Sequence, residues 1–356
     1  CFGLIYLYIR VENNKKTAVK LILKVLKWIG KFLLGLLILI ITAGLCNRLF
    51  SSKPTPPGKL IDVNGTKLHI RAEGQKNDLP TLVLEAGASG NTDGLHWINE
   101  GLKKSMRVVR YDREGQWYSE SSKDSLTSEH YAHQLYELLE KSGEKPPYIL
   151  AGHSIGGSYN RIFRDLYPNE VKGLVFIDST HPDHNKSMTE TGYSIPLKQI
   201  TFYKFLSILA DMGILGLYDK IIGIKSSKDL SNDCQIRIRD RSFYSGKVFR
   251  RLIKEVDNMD NILLRSGRTN SLDSLPVLVF TATEKYSESR IKRFKNRGVD
   301  LEKHQQLWFE MQKDLKELST NGKQFNIDAS HSSIITTKEN AEIINKEILL
   351  MAETVK

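Results

Sequence analysis

The segment Tyr148-Ile149-Leu150-Ala151-Gly152-His153-Ser154-Ile155-Gly156-Gly157 constrains the fold of this chain more than any other. Its first four residues are an apolar run without polar alternation, as expected of a strand buried on both faces. Ser158–Tyr167 reads as a helix and stops at Pro168. A strand must therefore turn into a helix within a few residues, with glycines at 152 and 156 around Ser154. Such a turn forces the serine into a strained backbone conformation and lets neighbouring segments approach closely. It raises the hydroxyl at the C-terminal edge of a sheet. Gly157 is placed to let the helix pack on that sheet.

The same rhythm repeats along the chain. Lys67–Ala72, Thr81–Leu84, Arg107–Tyr111, Gly173–Ile177, Val277–Phe280 and Gln324–Ile327 read as further strands. Helical patterns lie between them at Ser128–Ser142, where Leu135, Leu138 and Leu139 share a face, and at His304–Leu318 and Asn340–Met351. Strand alternating with helix implies an α/β fold, a mainly parallel sheet with helices on both faces. One interval breaks the pattern. From about 181 to 275 there is no clear strand, and the stretch is too long for a loop, so an inserted helical cap is expected there. A second membrane span within it is disfavoured by Lys204 and Asp211.

The charge is lopsided. The chain carries net +11 over 356 residues, yet residues 1–53 hold nine basic side chains against the single acid Glu12. Little positive excess is left for the rest, which argues against a nucleic-acid partner. Phe32–Cys46 is free of charge, and extending it back to Trp28 gives roughly 28 Å of helix, close to the hydrocarbon thickness of a bilayer. A transmembrane helix is expected at about 28–46. Seven basic residues before Phe32 put the N-terminus in the cytoplasm and the remainder outside. A signal peptide cleaved near Thr42-Ala43-Gly44 is the rival reading. The chain begins with Cys rather than Met, so its natural start is left open. The basic stretch 14–31 is suited to lie on an anionic leaflet. Residues 54–58, Pro-Thr-Pro-Pro-Gly, form a stiff linker, and the main domain is expected over 59–356. With Cys1, Cys46 and Cys234 as the complete cysteine set, a disulfide scaffold and a Cys-rich zinc module are excluded.

Gly-x-Ser-x-Gly in its strand–turn–helix setting is joined by three other segments: Leu84-Glu85-Ala86-Gly87-Ala88, Tyr111-Asp112-Arg113-Glu114-Gly115-Gln116-Trp117-Tyr118-Ser119, and Asp328-Ala329-Ser330-His331-Ser332. With these, residues 59–356 resemble the α/β-hydrolase superfamily. The first segment sits where the family's oxyanion loop follows a strand. The second is similar to its D-x-x-G-x-G-x-S turn, and the third lies where the family places its catalytic histidine. There are departures. The oxyanion loop usually begins His-Gly and here reads Ala86-Gly87, and Trp117 replaces the second glycine of the turn, where it is expected to alter the pocket shape.

The resemblance implies the α/β-hydrolase fold; the helical cap at about 181–275 and the transmembrane helix ahead of the domain are read from the sequence pattern itself. It implies Ser154 as nucleophile, His331 as general base, and the backbone N–H groups of Ala88 and Ile155 as oxyanion donors. Two carboxylates compete for the third place. Asp178 stands at the end of Gly173–Ile177, and Glu284 follows Val277–Phe280; Asp178 is favoured. Asp112 and Arg113 are read as an ion pair bracing the loop beneath the site. His153 is read as a packing or orienting residue, and the pairs His130/His133 and His181/His184 are not read as metal ligands. The basic cap residues Arg237, Arg239, Arg241, Arg250 and Arg251 read as a solvated face, with attraction to anionic lipid as a second reading.

The expected activity is hydrolysis of a small-molecule carboxylic ester through an acyl-enzyme, without a cofactor. Ester is preferred to amide on fold analogy, and the apolar cap beside an anchor suggests a lipophilic acyl group. An aminopeptidase-like enzyme is the enzymatic alternative, with Glu190 and Asp211 as candidates to hold a substrate amine. A non-catalytic binding protein on the same fold is the other.

Overall fold

The computed structural model describes residues 2–51, 55–122, 127–194, 197–223 and 229–356, with side chains from Thr17 onward. Part of the Pro-rich linker expected at 54–58 therefore lies outside the described residues.

Eight strands form one sheet: β1 (Lys59–Val63), β2 (Thr66–Glu73), β3 (Thr81–Glu85), β4 (Val108–Tyr111), β5 (Tyr148–His153), β6 (Val171–Ile177), β7 (Val277–Ala282) and β8 (Gly322–Ile327). Their spatial order is β1-β2-β4-β3-β5-β6-β7-β8. β1 and β2 run antiparallel, β2 joins β4 antiparallel, and every later pairing is parallel. β3 and β5 are buried along their whole length, which is why their sequences are apolar without alternation.

β1 is the strand that the apolar pattern does not announce. It is mostly exposed, so it carries no apolar run. Its hairpin partner is reached through Asn64 (φ 52°) and Gly65 (φ 81°). Two consecutive positive φ angles are what a two-residue hairpin turn needs, and Asn-Gly tolerates them best.

The core has two layers. On one face, the helices Ser128–Lys141 and Ile155–Leu166 bury Leu135, Leu138, Ile162 and Phe163 against the sheet. On the other, His96–Leu102 and Lys338–Thr354 bury Ile98, Leu102, Ile344 and Ile348. Each such side chain contributes about 1.5–3 kcal/mol on burial.

Between β6 and β7 the described residues are helical: His184–Thr189, Leu197–Asp211, Ile214–Ile222, Asn232–Ser242, Lys247–Asp257 and Met259–Ser266. Of the five cap arginines read as a solvated face, Arg250 is exposed, while Arg237, Arg239 and Arg241 are half-buried and Arg251 is buried. Arg237 pairs with Asp93 at 2.7 Å and Arg239 with Asp219 at 3.2 Å. Arg241 donates to the Trp117 carbonyl at 2.7 Å, Arg250 pairs with Asp211, and Arg251 is buried over the Tyr131 ring. These arginines are occupied in fastening the cap to itself and to the sheet domain, and sequence spacing alone does not reveal partners so far away along the chain.

The N-terminal helix is continuous from Phe2 to Phe50. Its segment Thr17–Phe50 contains an apolar run long enough to cross a membrane, and that run is almost entirely uncovered by the rest of the chain.

Candidate active site

β5 ends in the turn that carries Ser154. Its backbone is strained (φ 56°, ψ −128°) and leads directly into the helix Ile155–Leu166. The two flanking glycines are required by close approach. A Cβ on Gly152 would lie 2.5 Å from the Gly156 and Gly157 backbone, and one on Gly156 would lie 2.6 Å from the Glu85 carbonyl oxygen. Gly87 closes over the same turn: a Cβ there would stand 3.1 Å from Ser154 Cβ. The Gly87-Ala88 peptide thus borders the serine on one side. Ile155, fully buried, opens the helix on the other.

β6 delivers Asp178 at its end, also with positive φ (44°). Its carboxylate is buried and triply held. Oδ2 lies 2.6 Å from His331 Nδ1, while Oδ1 accepts the Ala282 N–H at 3.0 Å and the Trp308 Nε1–H at 3.1 Å. A carboxylate so placed fixes the imidazole's tautomer and orientation and stabilises its protonated form. His331 sits in the turn after β8, with 42% of its side chain exposed. Glu284 is exposed on the cavity wall, and its N–H donates to the Ala329 carbonyl. Of the two competing carboxylates, the structure brings Asp178, and not Glu284, to the imidazole.

Ser154, Asp178 and His331 line one cavity of about 730 Å³. Its walls include Met188, Tyr193, Met259, Tyr286, Phe294 and Trp308, with Glu284, Lys285 and Arg290 among the polar lining. His184 lies on the wall against Trp308, and burial pushes it down to about 4. The two carboxylates considered for binding a substrate amine lie elsewhere. Glu190 pairs with Lys303 at 3.5 Å, and Asp211 with Arg48 and Arg250. Of the spaced histidine pairs, His130 meets Glu114, His133 meets Tyr167 and His181 meets Asp183.

The floor behind the serine is built differently from the expectation. Asp112 and Arg113 do not pair with each other. Asp112 holds His69 Nδ1 at 2.8 Å and the Thr92 N–H. Arg113, fully buried, pairs with Glu85 and with Glu255 of the cap at 2.8 Å. It also donates to the Ala86 and Gly87 carbonyls at 2.6 and 2.7 Å. Burial opposes the charge on Arg113, but Glu255 and Glu85 outweigh it and raise its pKa well above the usual range. Glu255 Oε2 in turn accepts the Ser89 N–H at 2.8 Å. Trp117 is buried, with φ 39°, and donates its Nε1–H to the Ser89 carbonyl at 2.8 Å. So the tryptophan that replaces a glycine braces the loop Ala86–Ser89 and is not part of the cavity lining.

The family model for the α/β hydrolase fold matches residues 80–200. A 121-residue stretch is 31% identical to the uncharacterized protein YbdG of Bacillus subtilis (strain 168), covering 34% of this chain and 37% of that protein. The chain spans 37%, 30% and 23% of the lengths of three curated relatives it matches. Among solved structures, the enol-lactonase of Burkholderia xenovorans LB400 superposes with a TM-score of 0.54 at 16% identity, over 82% of this chain and 99% of that one. A thermophilic esterase of Thermogutta terrifontis does so at 0.51 and 16%, over 82% and 97%. The chain has the α/β-hydrolase fold.

Proposed function

We propose that this chain is a membrane-anchored serine hydrolase that cleaves carboxylic esters. The observation that carries the reading is the Asp178–His331 contact at 2.6 Å beside a strained serine in one cavity. In the proposed cycle His331 Nε2 removes the Ser154 hydroxyl proton as Oγ attacks the ester carbonyl. Asp178 stabilises the imidazolium, and the Ala88 and Ile155 N–H groups receive the oxyanion. His331 then gives its proton to the departing alcohol, leaving an acyl-enzyme. Water, deprotonated by the same His331, attacks that acyl group. Ser154 takes the proton back as the acid leaves.

The apolar part of the cavity wall, with Met188, Met259, Phe294 and Trp308, favours a lipophilic acyl group. The charge-free stretch within Thr17–Phe50, with basic residues ahead of it, supports a single span with the N-terminus in the cytoplasm and the sheet domain outside.

The test is labelling of the full chain in detergent with a fluorophosphonate. The reading requires labelling that is abolished by Ser154→Ala and strongly reduced by His331→Ala and Asp178→Asn, with Glu284→Gln close to wild type. An unlabelled but folded wild-type chain would instead favour a binding protein on this fold. Faster turnover of short, water-soluble esters than of long-chain ones would overturn the lipophilic substrate.

A further inference from the structure

The cap helices Leu197–Asp211 and Ile214–Ile222 meet at 84°. Their outer side exposes Leu197, Phe202, Phe205, Ile208, Ile221 and Ile222, each more than half accessible. Their inner side is packed. Tyr203 stacks on Phe249, and Ser207 and Ala210 are buried. Contiguous apolar surface of this kind marks an interaction site.

Contacts with the N-terminal helix fix the depth of this hairpin. A Cβ on Gly44 would stand 2.7 Å from the Met212 carbonyl oxygen and 2.9 Å from Ile214 Cγ1. Arg48 pairs with Asp211 at 3.2 Å, and Lys220 Nζ donates to Asn47 Oδ1 at 2.6 Å and Ser51 Oγ at 3.1 Å. All of these lie at the end of the apolar run or just beyond it, where a spanning helix emerges among the headgroups. The hairpin is therefore held at that level. Its helices, of 15 and 9 residues, reach only roughly 22 and 14 Å, too short to cross and suited to lie in the plane. Every exposed charge on it is a lysine: Lys198, Lys204 and Lys220. Lysines snorkel to headgroups and are drawn to anionic lipid.

We propose that the hairpin Leu197–Ile222 is a second membrane contact. Its apolar face enters the acyl boundary of the leaflet nearest the sheet domain, and its lysines sit among the headgroups. The proposal rests on the reading of Thr17–Phe50 as a span. It brings the cavity close to the bilayer, because Tyr193 and Ser194 line the cavity and the hairpin begins at Leu197.

The experiment uses the full chain in vesicles of phosphatidylcholine and phosphatidylglycerol, in a background with Cys1, Cys46 and Cys234 replaced by serine. An environment-sensitive fluorophore is attached at Phe205→Cys, Ile221→Cys, Leu37→Cys as the span control, or Lys172→Cys as the water control. Quenching by acyl-chain nitroxide lipid is compared with quenching by aqueous iodide. Lipid quenching at 205 and 221 roughly twofold or more above that at 172, alongside quenching at 37, is the expected result. Lipid quenching at 37 with iodide quenching at 205 and 221 overturns the hairpin insertion and leaves the anchor standing. Iodide quenching at 37 overturns the anchor, and the hairpin proposal with it. Protection of 205 and 221 from both quenchers means that a second copy of the chain covers this face, and overturns insertion.

Discussion

His153 donates its Nε2–H to the carbonyl oxygen of His331 at 2.7 Å, with the two rings 4.6 Å apart. The residue before the elbow serine thus holds the loop that carries the proposed base. Because a carbonyl only accepts, the proton of His153 resides on Nε2. His153 therefore acts on Ser154 and His331 by position and stays outside the proton transfers. His153→Ala is expected to lower kcat for an ester roughly tenfold, about 1.4 kcal/mol, with KM little changed. His153→Gln, whose amide still donates, should recover part of that loss. Equal loss in both variants would mean that the ring's packing, and not its hydrogen bond, holds the loop.

The same residue makes stability depend on pH. Burial, reinforced by neighbouring His331, pushes His153 down to about 3. Unfolded, it would take up a proton near 6.5. Between those values the unfolded chain binds a proton that the folded chain refuses, so the stabilisation is complete above 6.5 and is lost as pH falls toward 3. His184, lowered to about 4 by burial, acts in the same direction. The urea midpoint of the wild type is expected to fall from pH 7 to pH 4. His153→Gln should flatten that fall by up to about 1.4 kcal/mol per pH unit. An unchanged slope in the variant would show that His153 titrates normally in the folded chain.

Arg113 and Glu255 join the sheet to the cap through one buried ion pair at 2.8 Å. Removing Glu255 alone leaves Arg113 with Glu85 as its remaining carboxylate and frees the Ser89 N–H. Glu255→Ala is therefore expected to cost about 3–5 kcal/mol of stability. It should also slow esterase turnover, because the loop Ala86–Ser89 loses a brace. Arg113→Met combined with Glu255→Met should cost clearly less than the two single changes added together. Additive losses in a urea-melt cycle would show that the two side chains do not communicate.

How much of this was legible in the sequence depends on how local each signal is. Ser154 could be read because close approach demands glycine at 152 and 156, and glycine is visible in a sequence. Asp178 was readable by its place at a strand end, but only the 2.6 Å contact separates it from Glu284 as the partner of His331. β1 is hidden from the apolar pattern although Asn64-Gly65 advertises a hairpin, because an exposed edge strand carries no apolar run. The Arg113 brace could not be read at all. Its partners, Glu85 and Glu255, lie 28 and 142 residues away, and no pattern of spacing links them. For the same reason the cap arginines looked solvated.

Trp117 offers the sharpest test of the brace, because two opposed effects meet at one residue. Its φ of 39° is strained for any side chain, and Trp117→Gly would relieve roughly 1–2 kcal/mol. The same change removes a buried indole, worth about 3–5 kcal/mol in large-to-small substitutions, together with the hydrogen bond to Ser89. The loss is the larger, so Trp117→Gly is expected to destabilise the chain by roughly 2 kcal/mol or more. The Ser89 carbonyl loses its donor in both Trp117→Gly and Trp117→Phe. Both should therefore slow ester turnover, while only the glycine variant should lower the melting temperature strongly. If Trp117→Gly proved more stable than wild type, the strain would outweigh the brace, and the tryptophan would have to serve the site in some other way.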